Sequence, residues 1–304
     1  MSVSTVNIKG EHTMYCCGAK VRISDGNIKV LTEPTVKYCP LHNALYGTSE
    51  ITPETVRQSI EKKIANYGFF CENRLFNPNP LVAYGASEMI STWLDKNLID
   101  CAVIVCEGAG TVITANGKLV QSIGARLTGI IETSPIDKII ERIESQNGKV
   151  LNKTTARIDQ VEGVKKALEM NFKRIAVSVA GFQAKDITEI RKIEKNSHAE
   201  ILIFSVCNTC VKAADVKHIT NADIACASAS KLLRKRIGFK ALIQLGTTIP
   251  VYILKQKGKK LVLAYLENFP NKLVIFRTSK LPYHVEGKGP TLKPKKPRKN
   301  ENSI

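Results

Sequence analysis

Arg174-Ile-Ala-Val-Ser-Val-Ala180 and Glu200-Ile-Leu-Ile-Phe-Ser-Val206 decide the fold. Both are apolar runs of strand length, and residues 185–195 between them read as a helix. Runs of this kind, apolar on both faces, belong to strands buried inside a parallel sheet. The rhythm continues with a strand at 222–227, a helix at 229–237 and a strand at 240–245. Cys101-Ala-Val-Ile-Val-Cys106 is an earlier run of the same character. The expected fold is α/β, a mostly parallel sheet with helices on both faces. Short strands at 251–254, 260–266 and 272–277, with a Lys257-Gly258 turn, are expected to form an antiparallel edge.

Outward from this centre, residues 52–68 carry every mark of a helix. Thr52 caps it, Pro53 takes the first position, Val56, Ile60 and Ile64 repeat at helical spacing, and Gly68 stops it. A second helix is expected near 86–97, with Met89, Ile90, Trp93 and Leu94 inward. Ser134-Pro135 opens another with Ile136, Ile139, Ile140 and Ile143 on one face, and a further helix covers 160–170. Residues 111–115 and 118–120 around Asn116-Gly117 read as a hairpin. Residues 1–48 are β-rich, with strands at 20–24 and 28–31 joined through Asp25-Gly26-Asn27. The expected organisation is a cysteine-rich N-terminal region (1–50), a helical segment (51–98), an α/β domain (99–280) and a basic, disordered tail (285–304).

The 304 residues are 43% hydrophobic and 24% charged, which excludes wholesale disorder. No apolar run has the length of a membrane span, and the N-terminus lacks a signal-peptide pattern. A cytoplasmic location is expected. The formal net charge is +18. Part of it lies in residues 288–304, where Lys288, Lys293, Lys295, Lys296, Arg298 and Lys299 face only Glu301. The rest is scattered, and aromatic residues amount to just 6%. That pattern gives no stacking platform for nucleic acid and fits an acidic protein partner.

Nine cysteines in a chain without a secretion signal argue for thiol chemistry rather than a disulfide framework. In parallel α/β sheets, ligands bind beyond the carboxyl ends of the strands. Cys106 ends one expected strand, Cys207 follows another, Cys226 ends a third, and Cys210 completes Cys207-Asn-Thr-Cys210. Four thiolates suit an iron–sulfur cluster or tetrahedral zinc. A Cys-x-x-Cys before a helix equally suits a redox pair, and small core thiols suit tight turns. A second set, Cys16, Cys17, Cys39, His42 and Cys71, resembles half of a zinc ribbon. Spacing alone leaves one site or two open.

The turn after strand 101–106 is the other candidate. Gly108-Ala-Gly110 lacks the third glycine of a dinucleotide fingerprint, since position 113 is Ile. No Walker-type loop is present. What remains is an anion nest formed by Gly108, Ala109, Gly110 and Thr111. Glu107 as a base or Cys226 as a nucleophile would make this a metal-independent enzyme for an anionic small molecule.

Several stretches in combination are similar to one family. They are Tyr38-Cys-Pro-Leu-His42, Val105-Cys-Glu-Gly-Ala-Gly-Thr-Val-Ile113, Ile123-Gly-Ala-Arg-Leu-Thr-Gly129, Thr133-Ser-Pro-Ile136, Ala156-Arg-Ile-Asp-Gln160 and Ala225-Cys-Ala-Ser228. Over residues 14–266 the chain resembles methanogenesis marker protein 8, a methanogen-associated family. The resemblance implies an anaerobic archaeal cytoplasm and a link to methane formation. It carries no residue roles with it, and it puts Cys39, the turn at 107–110 and Cys226 foremost. The expected function is an accessory protein that binds a metal, an iron–sulfur cluster or a redox cofactor. It would support maturation or activation of a pathway enzyme such as methyl-coenzyme M reductase.

Overall fold

The computed structural model describes residues 7–24, 26–127 and 129–294. The chain opens with strands Glu11–Cys16 (β1), Ala19–Ser24 (β2), Asn27–Val30 (β3) and Val36–Tyr38 (β4), then helices Pro40–Tyr46 (α1), Pro53–Tyr67 (α2) and Ala86–Asp95 (α3). Next come Cys101–Cys106 (β5), Gly110–Thr114 (β6), Gly117–Gly124 (α4), Ile130–Thr133 (β7), Asp137–Glu144 (α5), Lys149–Val150 (β8) and Gln160–Glu169 (α6). The regular alternation follows: Arg174–Ala180 (β9), Lys185–Lys195 (α7), Glu200–Val206 (β10), Val216–Ile219 (α8), Ile224–Cys226 (β11) and Lys231–Arg236 (α9). Ile243–Leu245 (β12), Val251–Ile253 (β13), Gln256–Glu267 (α10) and Thr291–Leu292 (β14) complete the chain.

The large sheet has eight strands in the order β12-β13-β11-β10-β9-β5-β6-β8. Its centre, from β11 to β5, is parallel. Both flanks are antiparallel, through β13 and β12 on one side and β6 and β8 on the other. The expected α/β class holds, with helices on both faces. Alternation along β5 divides the core. Ala102, Ile104 and Cys106 pack with Trp93, Leu119 and Ile139, whereas Cys101 and Val103 pack with Val164, Ile187 and Ile190.

A second, antiparallel sheet has the order β3-β2-β1-β7. Its fourth strand comes from residues 130–133, so backbone hydrogen bonds tie the N-terminal hairpins to the rest of the chain. Helix α2 covers this sheet with Val56, Ile60 and Ile64. Its ends are those read from the sequence: the Thr52 hydroxyl accepts the Thr55 N–H, and Gly68 takes a left-handed φ of 65°.

Several local readings change. Asn116-Gly117 is no hairpin turn: the Asn116 side chain accepts the Leu119 N–H at 3.2 Å and caps α4. Asn-Gly serves either role, and Leu119, Val120 and Ile123 meet the core at helical spacing. The hairpin turns instead at 107–109, which joins β5 to β6. Helix α5 is capped by Ile136, while the Ser134 hydroxyl bonds the Glu11 carbonyl at 3.0 Å. The expected strand at 260–266 lies inside helix α10, because a short apolar run does not by itself reveal its period. Lys257 and Gly258 therefore sit in its first turns. The expected strand at 272–277 does not form; Val274 and Ile275 are 91% and 82% exposed. Strand β13 lies between β11 and β12, so the expected run of parallel strands ends at β11. The tail reading changes in part. Thr291 and Leu292 pair with Tyr38 and Val36, and the Lys293 N–H donates to the Thr35 carbonyl at 2.9 Å. Residues 295–304 lie outside the described residues.

Candidate metal centre

Strands β1 and β2 pair with Cys16 opposite Ala19, which leaves Cys17 and Gly18 as a two-residue turn. Their φ angles, 50° and 81°, are both left-handed, as a type I′ hairpin requires. Glycine is obligatory at 18, since a Cβ there would lie 1.9 Å from the Thr35 hydroxyl oxygen. Cysteine at 17 is unusual, because the left-handed conformation costs a residue with a Cβ roughly 1–2 kcal/mol. Nearby, Cys39 caps helix α1, with Pro40 at its first position. His42 follows on the same helix and is 7% exposed.

These segments meet. One ligand atom each of Cys16, Cys17 and His42 lies within 4.8 Å of the others. Donor atoms around tetrahedral zinc sit about 3.5–3.8 Å apart, so small side-chain adjustments would close this set on an ion. Both ring nitrogens of His42 are buried, and neither bonds an oxygen or nitrogen of the protein; the imidazole's hydrogen-bond partner is the Cys16 thiol. A buried polar group left unpaired costs about 1–3 kcal/mol, a deficit that a bound ion would remove for one nitrogen.

The electrostatics favour a thiolate at Cys16. Its thiol is held well below the ordinary range, first by a hydrogen bond from Cys17, against the opposing effect of burial, and then by a hydrogen bond from His42 and the charges of Lys63 and His42. Cys17 is driven up by that same hydrogen bond, by burial and by the charges of Cys16 and Cys39. The adjacent thiols thus share one proton. Burial pulls Lys63 down, opposed by Cys16 and Cys17, and its ammonium donates to the Arg126 carbonyl at 2.7 Å.

Cys16, Cys17, Cys39 and His42 line a cavity of about 380 Å³. Cys207, Cys210 and Cys226 line the same cavity. The Cys210 sulfur lies 3.8 Å from the Gly18 carbonyl, so the hairpin tip touches the sheet edge. Asn208, fully buried, fixes the strand ends that bear the other two. Its amide donates to the carbonyls of Cys226 at 2.8 Å and Ser205 at 3.2 Å, and its backbone N–H donates to the Ser228 hydroxyl at 3.1 Å. Burial pushes the Cys207 thiol up to about 11, with the Gly129 N–H opposing. Cys226 is raised by burial and eased by Ser228.

A profile of the family described as "uncharacterized protein conserved in archaea (DUF2099)" matches residues 12–267. The chain belongs to the DUF2099 family. It is also 40% identical over 267 residues to an uncharacterized protein of Methanocaldococcus jannaschii, covering 86% of this chain and 93% of that one. The span matched by the DUF2099 profile includes His42 and all the cysteines.

The remaining candidates of this DUF2099 chain lie elsewhere. Cys106 does not join Cys207, Cys210 and Cys226 at the cavity. It is buried in the sheet core with its sulfur 3.2 Å from the Glu107 carbonyl, and burial raises its thiol strongly. Cys71 is buried, with its thiol 3.3 Å from the Phe69 carbonyl. Glu107 forms an ion pair with Arg74, at 0% and 2% side-chain exposure. In the turn, the Gly108 N–H donates to the Thr133 hydroxyl at 2.7 Å, the Ala109 N–H to the Cys106 carbonyl at 3.3 Å and the Thr111 N–H to the Arg157 carbonyl at 3.1 Å. Gly110 has φ 72°, and a Cβ there would lie 2.1 Å from the Ala156 carbonyl oxygen. These N–H groups are engaged within the protein, and the turn from Glu107 through Thr111 is packed against residues 156–160.

Sequence reasoning missed Lys63, Arg126, Tyr46 and Tyr67 at the cavity. Lys63 left one trace: it follows Val56, Ser59 and Ile60 on the inward face of α2, where a lysine has no packing role.

Among the described residues, no helix is long and apolar enough to cross a membrane.

Proposed function

We propose that this archaeal protein binds a thiophilic metal ion, zinc or iron, through Cys16, Cys17 and His42. One observation carries the reading: a buried imidazole, with neither nitrogen bonded to an oxygen or nitrogen of the protein, lies within 4.8 Å of two cysteine ligand atoms. Cys39, whose charge acts on Cys17, is the candidate for a fourth ligand. Binding displaces the proton the two thiols share, so affinity falls as pH falls. Cys207 and Cys226 keep further thiols at the same cavity, which suits an ion or cluster that is handed on rather than locked in place. The resemblance to methanogenesis marker protein 8 supplies the context. The protein acts as an accessory factor in methane formation, meets an acidic partner through its basic surface, and serves a metalloenzyme such as methyl-coenzyme M reductase.

The test is metal and acid-labile sulfide analysis of protein purified without oxygen, followed by cobalt titration. Thiolate-to-cobalt charge-transfer absorption is expected in the wild type and in Cys101→Ser. It is expected to be lost in Cys16→Ser and in His42→Gln. A wild type that takes up neither cobalt, zinc nor iron, or variants that bind cobalt like the wild type, would remove this reading.

A further inference from the structure

We infer that the cavity also binds a small organic anion with an apolar body, its acidic group held by Arg126. This goes beyond the metal reading and does not rest on it. The cavity's 380 Å³ is space that about a dozen waters would fill, within the usual range for small-molecule sites. Leu41, Leu45, Val82, Leu127 and Phe182 supply apolar wall. Apart from the Cys16 thiol, its ionisable charges are cationic. Lys62, Lys63 and Arg126 line it, and among the described residues no Asp or Glu does.

Arg126 is the anchor. Its Nε is buried and has no hydrogen-bond partner. Its guanidinium lies over the Tyr67 ring, 4.6 Å from the centroid, which fixes the plane of the fork before anything binds. A guanidinium with an unused buried donor, facing a cavity without carboxylates, is matched by a bidentate oxyanion. Its backbone is held as well, since the Lys63 ammonium donates to the Arg126 carbonyl at 2.7 Å. Exposed Lys62, tied to the Tyr46 carbonyl at 3.0 Å, adds positive charge at the solvent side. The chemistry suits a carboxylate or a sulfonate on an aliphatic chain. An inorganic anion would leave the apolar wall uncovered.

The experiment is calorimetric titration of the full chain with four probes: hexanoate, hexylammonium, hexan-1-ol and inorganic phosphate. Hexanoate is expected to bind with Kd below about 1 mM, and the other three at least tenfold more weakly. Arg126→Met is expected to weaken hexanoate at least tenfold, while Arg126→Lys retains part of the affinity because it keeps the charge and loses the fork. If Arg126→Met fails to fold, the charge series on the wild type decides alone. Absence of hexanoate binding would overturn the inference. So would hexylammonium, hexan-1-ol or phosphate binding as tightly as hexanoate, or an Arg126→Met variant of wild-type affinity. The Cys16→Ser/His42→Gln double variant separates this inference from the metal reading. It is expected to keep hexanoate binding after losing cobalt.

Discussion

Cys17 and Cys207 line one cavity, and both reach it from left-handed backbone, at φ 50° and 53°. Cys17 holds the tip of the first hairpin and Cys207 follows the end of β10. Ser228, which lines the same cavity beyond β11, has φ 48°. Strained non-glycine residues persist where the surrounding structure over-determines them, and such places are enriched at functional sites. Here the hairpin register holds Cys17, and the Asn208 amide holds the ends of β10 and β11.

The thiols should differ sharply in reactivity. Cys16 is held low by Cys17, Lys63 and His42, whereas burial raises Cys71 to about 11 and Cys101 to about 12. Cys16, Cys71 and Cys101 are all buried, so at about pH 6 iodoacetamide is expected to label Cys16 ahead of the other two. Mass spectrometry of the digested protein reads the order. Labelling of Cys71 or Cys101 before Cys16 would contradict the charge arrangement.

Glu107→Gln is expected to act on stability. It leaves Arg74 buried against Phe69, whose ring centroid is 4.0 Å from the guanidinium carbon, with no anionic partner. Breaking a buried pair costs about 3–5 kcal/mol. The Arg74→Met/Glu107→Gln double variant should lose less than the two single losses added together, because neither charge is then stranded. Urea denaturation measures all three, and a Glu107→Gln variant as stable as wild type would deny the pair its structural role.

His12 should make the fold acid-sensitive over a defined window. Its Nε2–H donates to the Lys9 carbonyl at 2.7 Å, so Nδ1 accepts from the Thr133 hydroxyl at 2.7 Å and the ring is neutral. Burial lowers its pKa to about 4, with the Lys9 carbonyl opposing. Above pH ~6.5 the folded and unfolded chains both hold it neutral and it contributes no slope. Between there and pH 4 only the unfolded chain takes up the proton, so stability falls with pH. A shift of ~2.5 units corresponds to about 3 kcal/mol. Denaturation at a series of pH values should show this component, and His12→Gln should flatten it.

Asn208→Ala should loosen the sheet edge under Cys207 and Cys226. The side chain's bonds to Ser205 and Cys226 are lost, at about 1–3 kcal/mol for the buried groups left unpaired. Amide hydrogen exchange is expected to rise at residues 207–210 and 226–228 and to stay unchanged in β1 and β2. Uniform protection would mean that Asn208 does not hold these strand ends.

The order of elements from 174 to 206 was legible because caps and apolar spacing act within a few residues. Helix α2 and strands β9 and β10 have the ends their own residues dictate. Residues 260–266 were not legible in the same way. Their run is apolar enough for either period, and packing of Val262 and Tyr265 against the sheet selects the helix. Cys106 and Cys226 looked equivalent as strand-end thiols. They part company because the pleat and the neighbouring strands send one into the core and leave the other at the cavity.

Local chemistry also placed Cys17-Gly18 next to a hairpin and Cys39 before Pro40. It did not bring them to Cys207 and Cys226. That meeting depends on β1 pairing with β7, a strand more than a hundred residues downstream, and on the sheet order beyond β9. Spacing along a chain specifies which face a residue occupies on its own helix or strand. Which faces then enclose a cavity is decided by long-range strand pairing and by burial of the shared core.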